Sequence, residues 1–115
     1  MSLAITPAAR AALADWLAQE KALNAAAENT LKAYSTDVTG FLAFLAQHWG
    51  GAPGLGPLAQ ITPSDMRAWM AHERARGVAP RSLARALSAV KGFYRWLSRR
   101  EGFDATAVLS MRAPR

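Results

Sequence analysis

The sequence has no cysteine, which removes both a disulfide framework and any thiolate metal site and points to a cytoplasmic protein. It also has no run of eighteen apolar residues, so a membrane span is not expected. Its first residues, MSLAITPAARAALADWL, have no basic segment leading into an apolar one, and Arg10 and Asp15 interrupt what apolar character there is, so no signal peptide is expected. Histidine is scarce. His48 and His72 stand alone, without metal-ligand companions or a serine or cysteine to activate, so neither a metal nor a cofactor is expected. Acidic residues are missing altogether from RSLARALSAVKGFYRWLSRR, residues 81–100, which hold six basic ones.

What is present suits one globular domain. Of 115 residues, 51% are apolar and 19% charged, enough for a core without metal or disulfide support. The net charge of +6 is unevenly spread. Residues 1–60 carry three basic and four acidic groups, whereas residues 61–115 carry eleven and four. A one-sided positive field is the footprint of a polyanion binder, with a solvated basic surface as the plainer alternative.

The punctuation predicts an all-α fold of four main helices and a short fifth, at about 7–22, 30–49, 63–76, 81–101 and 104–111. Thr6-Pro7 starts the first, whose apolar positions are Leu13, Trp16, Leu17 and Leu23. Asn29 or Thr30 caps the second, and Gly50-Gly51 stops it. GGAPGLGP, residues 50–57, reads as a loop. Thr62-Pro63-Ser64-Asp65 opens the third helix with a capping box, Pro80 the fourth, and Asp104 the last. No alternating strand pattern occurs.

At about 100° per residue, the fourth helix resolves into two faces. Leu83, Ala86, Leu87, Val90, Phe93, Tyr94 and Leu97 fall on one arc, and Arg81, Arg85, Ser88, Gly92, Arg95 and Arg99 on the opposite one. Like charges four residues apart, Arg81 with Arg85 and Arg95 with Arg99, cost a few tenths of a kcal/mol where mixed signs would stabilise by as much. An external anion would repay that, and guanidinium groups match phosphate with a forked geometry. The small Ser88 and Gly92 would admit a phosphate backbone closely. The polar side of the second helix, with Lys32, Thr36, Thr39, Gly40, Ala43 and Gln47, offers a second contact surface, Asp37 lying off to one side. Tyr34 and Tyr94 lie on apolar arcs and read as core residues whose hydroxyls reach the rim.

NTLKAYSTDVTGFLAFL followed by ITPSDMRAWMAHERARGVAPRSLARALSAVKGFYRWLSRREG and a closing RAPR resembles the N-terminal core-binding, SAM-like domain of Xer-type tyrosine recombinases, a branch of the phage-integrase family. Thr30, Leu31, Tyr34, Asp37 and Phe41, then Arg81, Ser82, Arg85, Leu87, Ser88, Phe93, Tyr94 and Leu97 carry the likeness, which spans about residues 10–115. The segment FDATAVLSM and Glu73, close to the apolar arc of Met66, Trp69 and Met70, depart from the family pattern.

The resemblance implies half of a clamp around duplex DNA, used in DNA integration or chromosome dimer resolution, with the second and fourth helices facing the DNA. Contacts would come from Lys32, Thr36 and Thr39, and from Arg81, Arg85, Ser88, Lys91, Arg95 and Arg99. The first helix and the last short one would meet other recombinase protomers. It also implies that the catalytic domain lies outside this chain, which would then have no active site and take no small-molecule ligand. A competing reading is a helical interaction module whose basic face docks an acidic protein partner, with Trp96 as anchor. A helix-turn-helix repressor fits less well, because the loop at 50–57 is too long and the fourth helix spans about five turns.

Overall fold

The computed structural model describes residues 5–113, and all regular structure among them is helical, in the order α1 (Pro7–Asn24), α2 (Glu28–His48), α3 (Leu55–Ala59), α4 (Pro63–Ala75), α5 (Pro80–Glu101) and α6 (Thr106–Leu109). The fold is all-α. Each start has a local cause. Thr6 Oγ1 accepts the Ala9 amide at 3.2 Å, and the same hydroxyl donates to the Pro53 carbonyl at 3.0 Å, fastening α1 to the loop that follows α2. At α4, Thr62 Oγ1 accepts from the Asp65 amide at 3.1 Å while Asp65 Oδ2 accepts from the Thr62 amide at 3.0 Å, completing the expected capping box.

Asp65 does more than cap. Its Oδ1 accepts from Trp49 Nε1 at 3.2 Å and lies 3.1 Å from His48 Nε2, so the end of α2 and the start of α4 share one carboxylate. Burial works against its charge, but the hydrogen bonds from the Thr62 backbone, Trp49, the Thr62 hydroxyl and His48 outweigh it and hold the carboxyl below its usual range.

Four expectations about the helices need correction. Residues 50–57 are not loop throughout, because α3 begins at Leu55; Pro57 is tolerated in its first turn, where no intrahelical N–H bond is required, and Leu58 is drawn into the core. The second helix starts at Glu28 rather than at Thr30, with Ala27 as a cap that makes no side-chain bond and Glu28 meeting the positive end of the helix dipole. The last helix is only four residues long, although Asp104 does accept the Thr106 amide at 2.9 Å. Leu23, placed on the apolar side of the first helix, is 73% exposed.

The core is arranged around α5, which packs against α1, α2, α4 and α6. Leu83, Leu87, Val90, Phe93, Tyr94 and Leu97 are buried against Val38, Phe41, Leu42 and Leu45 of α2 and against Met66, Trp69 and Met70 of α4. Each large apolar side chain so buried contributes about 1.5–3 kcal/mol relative to exposure. The Tyr94 hydroxyl does not reach the rim: it is fully buried and donates to the Leu58 carbonyl at 2.9 Å. Burial first, and then the nearby charge of Asp65, push its ionisation well up, so it stays a neutral donor.

Candidate nucleic-acid interface

The outward stripe of α5 is narrower than helical arithmetic suggests. Ala89, on its flank, is buried, and Gly92, within it, is half-buried. At Gly92 the cause is Trp16 of α1. Its ring stacks on Tyr34 at 5.5 Å, meets Phe93 edge-on at 5.7 Å and lies under Gly92, where an added Cβ would stand 3.1 Å from Cζ2. Gly92 therefore admits a tryptophan of its own chain, not a phosphate. Ser88 stays exposed.

The charges on the stripe divide into two kinds. Arg85 is paired: its Nε donates to Asp37 Oδ2 at 3.0 Å and its Nη2 to Asp37 Oδ1 at 2.9 Å, across α5 and α2. The Asp37 side chain is 7% exposed and that of Arg85 53%, so a nearly buried carboxylate holds a half-exposed guanidinium. Those hydrogen bonds raise the Arg85 ionisation further above its ordinary range. Asp37 thus faces α5 rather than lying off to one side, and the stripe is less unbalanced than its own sequence implies. Among the described residues, Lys32, Arg81, Lys91, Arg95 and Arg99 make no ion pair. Lys91 is half-buried, and the other four are exposed.

The two ends of the stripe also face different neighbours. Arg85 sits beside the stretch of α2 that carries the exposed Thr36 and the half-buried Thr39. Arg95 and Arg99 instead border a groove of about 720 Å³ between α5 and α1, opposite Asp15, Gln19 and Glu20. Arg100, which helical spacing left off the stripe, joins them. It donates to Asp15 at 3.0 Å and lies 4.5 Å over the Trp96 ring, while Trp96 Nε1 donates to Gln19 at 3.0 Å. That ring is engaged within the chain and is no free anchor.

On the other flank of α2, Gly40, Ala43 and Gln47 line a second groove of about 610 Å³ shared with α4. Phe44 and His72 also line it, and the Phe44 ring has a histidine on either side, its centroid 5.1 Å from His48 and 5.0 Å from His72. Glu73, unexpected near an apolar arc, is held by Arg76 one turn on. No signal within either segment revealed the Asp37–Arg85 bridge or the Trp16–Gly92 contact, since both join residues far apart in the chain. A lone carboxylate next to the apolar arc of α2 was the one hint.

A family model described as the phage integrase N-terminal SAM-like domain matches residues 9–101. Among curated proteins, a tyrosine recombinase XerC of Methylobacterium nodulans is 43% identical over 109 residues, covering 95% of this chain and 34% of the relative. The XerC recombinases of Mesorhizobium japonicum, 37% identical over 94% of this chain and 34% of the relative, and of Rhodospirillum centenum, 36% identical over 87% and 28%, are similar in the same way. The chain thus spans about a third of the length of the curated relatives it matches. No solved structure matches it.

Proposed function

The chain belongs to the phage-integrase N-terminal SAM-like family, and from that premise we propose that it grips duplex DNA as the core-binding part of a site-specific tyrosine recombinase. Strand exchange, whether for DNA integration or for resolving chromosome dimers, is assigned to the whole protein acting with other protomers. The observation that carries the reading is the set of unpaired cations. Arg81, Arg95 and Arg99 are exposed on α5, and Lys32 on α2, and none of them forms an ion pair among the described residues. Guanidinium and ammonium groups left uncompensated in this way release counterions when they meet phosphates, which is the main source of affinity for DNA. Exposed hydroxyls at Thr36 and Ser88 add neutral donors of the kind that bind phosphate oxygens. Neither tyrosine has the setting of a nucleophile: Tyr94 is buried and committed to Leu58, and Tyr34 is stacked on Trp16.

The test is fluorescence anisotropy of the chain with a labelled duplex, beside an Arg81→Glu/Arg99→Glu variant of unchanged helicity. Affinity is expected to fall by tenfold or more. Equal affinity in the two proteins sinks the reading and leaves the basic face to an acidic protein partner.

A further inference from the structure

Among the described cations of the α5 stripe, Arg85 alone is held by a carboxylate, and the edge by which it is held decides what remains available. A guanidinium has five N–H donors in a planar fork. Asp37 occupies one parallel pair, on Nε and Nη2. The other parallel pair, on Nη1 and Nη2 at the end of the group, is left open, and the side chain is 53% exposed. Resting on the DNA-binding reading above, we propose that Arg85 reads a base, donating from this end to O6 and N7 of a guanine in the major groove, with Asp37 as the positioning residue.

Two features favour a guanine edge over a phosphate. The neighbouring Asp37 carboxylate nearly cancels the Arg85 charge, so little counterion release remains for a phosphate contact, and a second anion would be brought up to the first. Guanine offers two neutral acceptors at the spacing of the fork, the commonest specific contact in the major groove. The unpaired Arg81, Arg95 and Arg99 suit phosphates instead. Fixing the guanidinium beforehand also lowers the rotamer entropy lost on binding, which sharpens discrimination between bases.

The experiment selects duplexes from a randomised library with the wild-type chain. Anisotropy then compares the enriched duplex with versions in which each G·C pair is replaced by A·T, at one salt concentration. The wild type is expected to prefer G·C at one position by on the order of tenfold or more. Asp37→Asn should lose that preference while binding unselected duplex at least as well, since it frees a cation. Arg85→Lys, which keeps the charge but not the fork, should lose it too.

Preference retained in both variants, or no preferred position in the wild type, overturns the proposal while DNA binding stands. Reduced thermal stability with discrimination intact assigns the pair to holding α2 against α5 alone, which also overturns it. No binding to any duplex at low salt overturns the DNA-binding reading and this proposal with it.

Discussion

Two glycines on neighbouring helices have opposite meanings, and substitution should separate them. Gly40 of α2 has nothing within 4 Å of where a Cβ would stand, so Gly40→Ala should gain helix propensity and stabilise by up to about 1 kcal/mol. Gly92 would gain as much, but its Cβ presses on Trp16, a buried ring fixed between Tyr34 and Phe93 that has little room to yield. Overpacking costs about 1–3 kcal/mol, so Gly92→Ala should be destabilising by up to about 2 kcal/mol. Thermal unfolding of the two variants checks the signs. Tyr94→Phe removes the donor to a buried carbonyl and should cost about 1–2 kcal/mol in urea unfolding at neutral pH; an unchanged midpoint would mean that water satisfies Leu58 instead.

Helices were legible where caps and periodicity are local. Thr6-Pro7, Thr62 to Asp65 and Gly102 mark their ends from a few adjacent residues, and the apolar arc of α5 follows from spacing alone. The start of α3 was not legible, because Gly54, Gly56 and Pro57 argue for loop, and only burial of Leu58 by the rest of the chain favours the helix. The α4 cap supplies a test with a definite sign. Its Asp65 carboxyl is held below the usual range, so its stabilisation is present above the unfolded value of about 3.9 and is lost as pH falls through the folded one. Asp65→Asn should therefore cost about 1–2 kcal/mol at neutral pH, and the gap from wild type should narrow below about pH 4. Urea unfolding at neutral and acid pH measures it, and a gap independent of pH would contradict the role of the charge.

At the scale of the whole molecule, the direction of each polar face was readable from the sequence, but its partners were not. Helical arithmetic put Arg85, Gly92 and Arg95 on one stripe; it could not reveal that Asp37 crosses from α2 to claim the first, that Trp16 fills the space at the second, or that the third borders α1. Those contacts change which residues are available to a polyanion. On the α2 and α5 faces expected to meet DNA, Lys32, Arg81, Lys91, Arg95 and Arg99 are the five cations that form no ion pair among the described residues. Duplex DNA gripped through them should be released steeply by salt, because each neutralised phosphate contributes about −0.9 to the slope of log affinity against log salt. The most direct measurement is that slope, from anisotropy titrations of the wild-type chain on one duplex at several salt concentrations. A value of about −4 to −5 is expected if all or nearly all of the five meet phosphates. A slope near zero contradicts DNA binding by this face.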